Sequence, residues 1–416
     1  MSRAAAALIF AASVLVGCSQ PPVATSPARR GSTEPFQHVV LIVIDTLRAD
    51  QARAAATPNL DRIAATGGAV DRAWSAGTWT VPSMVSMFTG SPIRRHGWDL
   101  PAGHIGKYPV VPATPLLAEV LRDAGFRTSA LVGNPYLTRA LGFDRGFDHW
   151  ARVSDKSMLR HITKDIKPHL SGAQRQFIYL HLMGPHSPLR PSREAIARHQ
   201  LQPDRFNSQR GLQIGAAKRN QEAGIQEAYR QGYRAVVEDT DKRLGEILNA
   251  LKGLGEDTLY IVTSDHGELL GEHGTFGHGR HLWEPLTEVP LIIGGVDGIP
   301  NQMGIEAIPD LISRMVGLKA SWPVSIRQNP LLVSQREGLV AISPRRSEKW
   351  IWNESGAKAY DLTQDPGELA PHEAPKVAAQ MRREWEQEQP KAPLLPLTIG
   401  LSEQTMKDLK AIGYAE

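Results

Sequence analysis

The segment His38-Val-Val-Leu-Ile-Val-Ile-Asp45 constrains the fold of this chain more than any other. Six apolar residues, all but one β-branched, run without polar alternation and end in a carboxylate. A run this short and this uniformly apolar reads as a strand covered on both faces, as in a parallel sheet. Similar strands are expected at Thr128–Val132, Phe177–Leu182, Thr258–Thr263 and Val289–Ile293. Helical patterns fall between them, at Thr57–Thr66, Pro82–Phe88, Pro115–Ala124, Gln226–Leu251 and Ile308–Val316. This alternation predicts an α/β domain whose large, mostly parallel sheet is flanked by helices. In such sheets ligands sit at the carboxyl ends of the strands. Asp45, His181 and the run Ser264-Asp265-His266 all lie at predicted strand ends. From about Val324 the pattern changes to short segments with turns, such as Glu348–Trp352 and Ala359–Leu362, which predict a small antiparallel subdomain. Arg190–Gly224 is rich in Arg and Gln and reads as a solvated helix-and-loop insertion; its place after a strand end would also suit an active-site lid.

At the N-terminus Arg3 precedes an Ala-rich apolar run, Ala4–Val16, too short to span a bilayer as a helix. Such a pattern reads as a secretory signal. It ends in Leu15-Val16-Gly17-Cys18, which resembles the lipobox of bacterial lipoproteins. That resemblance implies cleavage of residues 1–17, lipid attachment at Cys18 and a flexible tether over 18–35. The chain would then face the periplasm from the bacterial cell envelope, at the outer membrane because Ser19 follows the Cys. The alternative is a simple export signal with an incidental cysteine. Cys18 is the only cysteine among 416 residues, so neither a disulfide framework nor a thiolate metal site is available. With 41% hydrophobic and 22% charged residues the chain is neither mostly disordered nor a polytopic membrane protein. A net charge of +4, without a long Lys/Arg block, gives nucleic-acid binding no support.

Chemistry concentrates in three places. Asp45 ends the first strand. Thr80, in Thr78-Trp-Thr-Val-Pro-Ser83, stands just before a helix whose first residue is expected to be Pro82. A hydroxyl there shares the orphan N–H groups and positive dipole end that favour an anionic substrate. The third place runs from Asp265 to Gly279 and is dense in His, Asp and Gly. Two carboxylates, an imidazole and a hydroxyl suit one divalent cation.

Taken in order, these segments resemble the sulfatase family of the alkaline phosphatase superfamily. Val40-Leu-Ile-Val-Ile-Asp-Thr-Leu-Arg-Ala-Asp50 and Thr57-Pro-Asn-Leu-Asp-Arg-Ile63 are similar to that family's opening. Trp79-Thr-Val-Pro-Ser83 with Phe88-Thr-Gly90 resembles its nucleophile segment, and Tyr179-Leu-His-Leu-Met-Gly-Pro-His186 its mid-chain motif. Ser264-Asp-His-Gly-Glu268, Gly271-Glu-His-Gly274 and His278-Gly279 resemble the late metal-binding segment, and Tyr360–Glu368 the usual ending. The resemblance implies an alkaline-phosphatase-like sandwich, with a catalytic domain over 36–323 and a C-terminal subdomain over 324–416. It implies Asp45, Asp265, His266 and Thr80 as ligands of one divalent ion (Ca, Mn, Zn or Mg), and Thr80 as nucleophile. His186 and His278 would hold the substrate anion or protonate the leaving group. Arg48 and His273 read either as site residues or as structural partners, and Asp241 as a helix anchor.

Departures from the family pattern bear on the substrate. Most sulfatases carry a Cys or Ser that becomes formylglycine; Thr80 is a secondary alcohol, which cannot be oxidised to an aldehyde, so no formylglycine is expected. Met84 stands where that motif has Arg, and Thr46 replaces the second Asp of the family's Asp-Asp pair. His266 adds a nitrogen ligand, better tolerated by Mn or Zn than by Ca. His186 and Arg190 occupy positions where the phosphodiesterase branch binds a second metal, so one metal is expected. The family's Gly-Lys-x-x-His segment is replaced in its region by Gly142-Phe-Asp-Arg-Gly-Phe-Asp148. These features imply a hydrolase of sulfate or phosphate/phosphonate esters, with phosphorus esters favoured. The alternatives are a phosphoryl-group transferase of the cell envelope and a non-catalytic glycan-binding lipoprotein.

Overall fold

The computed structural model describes residues 34–98, 107–170, 172–202, 224–326, 332–334, 340–345, 347–353, 356–374 and 398–412, with isolated residues between 376 and 383. The signal, Cys18 and most of the tether lie outside the described residues, as do positions 203–223 of the Arg- and Gln-rich insertion. No helix among the described residues is long and apolar enough to cross a membrane.

A seven-stranded sheet organises the chain. Its strands are β1 (His38–Ile44), β2 (Gly68–Ala69), β3 (Arg127–Val132), β4 (His149–Arg152), β5 (Gln176–Leu182), β6 (Thr258–Thr263) and β7 (Leu291–Gly294). Across the sheet they run in the order β2-β7-β6-β1-β5-β3-β4. The five from β6 to β4 in that order are parallel, while β7 and β2 form an antiparallel margin. The strand expected over Val289–Ile293 is thus interrupted at Pro290, which has no N–H to give a ladder, and resumes antiparallel.

Successive side chains of β1 enter two different cores, as the period of two requires. Val39, Leu41 and Val43 join Val81, Met84 and Val85 of helix α1 (Thr80–Thr89). Val40, Ile42 and Ile44 join Tyr233, Val237 and Leu244 of the long helix α2 (Ile225–Ala250). Each fully buried Val, Leu or Ile in these layers contributes about 1.5–3 kcal/mol relative to exposure. This two-sided burial is why the strand carries no polar alternation.

Helix α1 starts at Thr80, two residues before the expected Pro82, which therefore sits in the first turn where its missing N–H costs no intrahelical bond. All ten of its residues are buried. It stops at Gly90, whose φ of 63° is the left-handed conformation of a helix C-cap. Beyond the main domain, five short strands (Leu332–Ser334, Val340–Arg345, Glu348–Asn353, Gly356–Asp361 and His372–Glu373) form the expected antiparallel sheet. It is tied to the large domain by Lys349, buried between Glu284 and Glu368 at 3.0 and 2.9 Å. Glu284 also pairs with Arg72.

Candidate active site

Strand register assembles the site. Val43 of β1 lies level with His181 of β5 and Thr263 of β6, and His181 lies level with Val132 of β3. The chain therefore leaves three parallel strands at one height. Two residues further on, β1, β6 and β3 deliver Asp45, Asp265 and Asn134 to the same end of the sheet, and all three are fully buried. Thr80 reaches them from the first residue of α1.

Thr80 Oγ1 lies 3.5 Å from Asp45 Oδ2, 3.4 Å from His266 Nε2 and 3.1 Å from Asn134 Nδ2. Asp45 Oδ2 accepts from Asn134 Nδ2 at 2.7 Å and faces His181 Nε2 at 3.2 Å. Burial alone would raise the Asp45 carboxyl, but His186, His181 and His266 outweigh it and hold the group well below the usual carboxylate range. Asp45 is therefore an anion at neutral pH.

His266 Nδ1 donates to the carbonyl of Gly267 at 2.9 Å, which leaves the lone pair on Nε2. That atom points at the carboxylates, 3.7 Å from Asp45 Oδ1 and 3.4 Å from Asp265 Oδ2. Burial, with His278 nearby, lowers the imidazole's pKa and keeps it neutral. Asp45 Oδ1, Asp265 Oδ2 and Thr46 Oγ1 are buried and have no hydrogen-bond partner among the described residues. Anionic oxygens held away from water without donors are costly unless a cation completes them. The donor set, carboxylate oxygen with one imidazole nitrogen, fits a divalent metal ion. Asp45, His181 and Asp265 present ligand-type atoms that all lie within 4.8 Å of one another. His181 Nδ1 lies 2.8 Å from the Tyr179 hydroxyl, so with the phenol donating its Nε2–H faces Asp45. Asp45 supports, and burial opposes, a raised His181 pKa.

The two histidines assigned to the substrate side stand next to this cluster. The His278 ring centroid is 4.5 Å from that of His266 and 5.2 Å from that of His186. His278 Nδ1 bonds Glu268 Oε2 at 2.8 Å. Burial pulls its pKa down, but the Glu268 carboxylate prevails and raises it. His186 Nδ1 is held by the Ser187 carbonyl.

The structure thus gathers Asp45, Thr80, Asp265, His266, His186 and His278. It places Arg48 outside that cluster, ion-paired with Asp50 and Glu272 and donating to the Glu268 carbonyl at 2.9 Å. His273 also lies outside, stacked on Trp283 at 3.7 Å. Asp241 accepts from the Asn59 and Leu60 N–H groups, so it caps the neighbouring helix Pro58–Ala64. Sequence reasoning missed Asn134 and Glu268 as members of the site. It placed His181 at a strand end without giving it a partner. Asn134 carried a usable signal, since it lies just past the predicted strand Thr128–Val132.

These features define an alkaline-phosphatase-like α/β protein with a buried carboxylate–histidine group at its strand ends. The chain belongs to the sulfatase family, whose Sulfatase domain matches residues 37–315. A low-salt glycan biosynthesis sulfotransferase from Haloferax volcanii is 28% identical over 278 residues, covering 64% of this chain and 56% of that protein. Arylsulfatase K from Gallus gallus is 33% identical over 129 residues, 29% of this chain and 23% of that protein. This chain therefore spans about half or less of these relatives. Among solved structures, a putative sulfatase from Bacteroides thetaiotaomicron has a TM-score of 0.64 at 18% identity, covering 85% of this chain and 92% of that one. The phosphonate monoester hydrolase of Agrobacterium radiobacter has 0.61 at 18% identity, covering 85% and 94%. These structural likenesses concern the fold.

Proposed function

We propose that this protein is a metal-dependent, sulfatase-like hydrolase of sulfate or phosphate/phosphonate esters that forms a covalent ester on Thr80. One observation carries the reading: Thr80 Oγ1, at the N-terminus of a fully buried helix, lies within 3.5 Å of both a carboxylate and an imidazole. Asp45, Asp265, His266 and Thr80 would hold the divalent ion. When bound, the ion supplies positive charge against a substrate oxygen and acidifies a neighbouring hydroxyl. Thr80 attacks the sulfur or phosphorus centre from the first turn of α1, whose positive dipole end favours the anion. His278, protonated more readily because of Glu268, or His186 beside it gives a proton to the departing oxygen. Water then breaks the Thr80 ester. A sulfated threonine lacks the second hydroxyl by which a hydrated aldehyde expels sulfate, so the residue chemistry favours phosphorus esters. The kinship with a protein named as a sulfotransferase supports a second reading, in which an alcohol replaces water as acceptor. The same proposal includes export, with lipid on Cys18 holding the domain at the periplasmic face of the outer membrane.

The test is hydrolysis of nitrophenyl sulfate, phosphate monoester, phosphate diester and phosphonate with Ca, Mg, Mn and Zn, beside Thr80→Ala. Preference for phosphorus esters, lost in the variant, is expected. Full activity in Thr80→Ala would remove the nucleophile assignment, and a sulfate preference would reverse the substrate argument.

A further inference from the structure

The carboxamide of Asn134 is oriented without ambiguity. Its Oδ1 accepts the Tyr136 N–H at 2.8 Å, so the amide nitrogen must face the other way. There it has two acceptors, Asp45 Oδ2 at 2.7 Å and Thr80 Oγ1 at 3.1 Å. The residue is fully buried, and the Tyr136 ring that follows it packs edge-on against Trp79, the neighbour of Thr80, at 5.9 Å. A donor fixed in this way, at a fully buried position, stabilises charge on the oxygen it faces without reorganising during reaction.

We propose that Asn134 is a catalytic residue that donates to the Thr80 oxygen whenever that oxygen carries developing negative charge. The inference rests on the nucleophile reading of Thr80. In the first step Thr80 Oγ bonds to the sulfur or phosphorus as the bond to the substrate's alcohol oxygen breaks; the hydroxyl proton is lost and the alcohol oxygen gains one. In the second step a water oxygen bonds to the same centre and gives up a proton, while the electron pair of the Oγ bond returns to Oγ, which takes up a proton in its place. Oγ is the leaving group of this second step, where the Asn134 N–H has most to stabilise. Asp45 uses the other N–H of the same amide, so Asn134 also fixes the spacing between carboxylate and nucleophile.

The prediction is specific to breakdown of the ester. With a nitrophenyl substrate, whose own leaving group needs little help, Asn134→Ala should lower kcat about 100-fold, the usual cost of removing one such donor. KM should fall together with kcat, leaving kcat/KM little changed, because breakdown of the ester has become the slow step. The fraction of enzyme carrying the transferred group on the Thr80 peptide, measured by acid quench and mass spectrometry, should rise above wild type. Asn134→Asp keeps the shape but cannot donate when ionised, and it should show the same accumulation if the smaller residue disturbs folding. Wild-type kcat in both variants, or a loss of kcat without accumulation of the ester, overturns the proposal. An inert Thr80→Ala beside a fully active Asn134→Ala would sink this inference alone. Turnover by Thr80→Ala would sink the nucleophile reading and this inference with it.

Discussion

Tyr233, in the middle of the long helix, donates its hydroxyl to the backbone carbonyl of Thr46, 187 positions away in the chain. The Tyr233 phenolic oxygen in turn accepts the Arg48 N–H at 3.1 Å. Thr46 follows the metal-side carboxylate Asp45 directly, and its φ of 59° is left-handed, a conformation that non-glycine residues seldom adopt. Its N–H in turn reaches Asp265 Oδ1 at 3.3 Å. One phenol on the far core layer thus fixes the turn that carries Asp45 and holds it against Asp265.

Tyr233→Phe keeps the ring and deletes only these two bonds. Two buried backbone groups lose their partner, so unfolding free energy should fall by about 1–3 kcal/mol in urea titrations. Calorimetric titration of the variant with Mn or Zn should show weaker binding, because the turn positions both carboxylates. Wild-type stability and affinity would show that packing alone holds Thr46.

Metal removal should be visible without any substrate. Asp45 Oδ1 and Asp265 Oδ2 face the same space with no donor among the described residues. Chelation should lower the melting temperature, and adding Mn or Zn should restore it; an ion at 100 times its dissociation constant stabilises by about 2.7 kcal/mol. Asp265→Asn should abolish the metal-dependent increment while leaving the chelated protein at least as stable as wild type. A melting temperature indifferent to chelator and metal would exclude a structural ion at these oxygens.

The sequence made the strands and most of the cluster legible, because both depend on local pattern. Five β-branched residues before Asp45 specify a buried strand, and Thr80 beside Pro82 marks a helix start. Asn134 was legible only as a residue just past a strand end, since its role depends on β3 being separated from β1 by only β5, an order that no local pattern encodes. Glu268 was quoted within a motif, but its bond to His278 needs the left-handed turns at Gly271, His273, Gly274 and Gly277 that fold the loop back. Tyr233 was hidden for a different reason: on a helix an apolar-facing tyrosine reads as core, and here it is core as well.

Lys349 is predicted to join the C-terminal sheet to the large domain. Its ammonium is 2% exposed and bonded to Glu284 and Glu368, with Thr287 nearby. Burial works against the charge, yet the two carboxylates raise its pKa. Lys349→Met would leave Glu368 buried without its cation and Glu284 with Arg72 alone, which costs about 3–5 kcal/mol. Adding Glu368→Gln should recover part of that loss, because the uncompensated charge is removed. Thermal unfolding of the single and double variants checks the order; equal stability of Lys349→Met and wild type would show that apolar contacts alone join the two parts.

Glu306 should give the fold a pH dependence of unusual sign for a carboxylate. It lies in the turn before the helix Ile308–Met315, 3% exposed, with its carboxyl folded over Gly304, and Oε2 has no hydrogen-bond partner among the described residues. Burial pushes its pKa from the ordinary 4.5 up to about 7. Between those values the native state holds a proton that the unfolded chain has released, so stability falls as pH rises across this window. Below 4.5 both states are protonated and the penalty is absent; above 7 both are ionised and it is fully present. A shift of that size corresponds to about 3 kcal/mol. Glu306→Gln has the same shape and no charge, so the variant should gain on wild type by about that amount between pH 4.5 and pH 7.5 in urea unfolding. A constant difference between the two proteins across this range would mean that Glu306 finds water or a donor when it ionises.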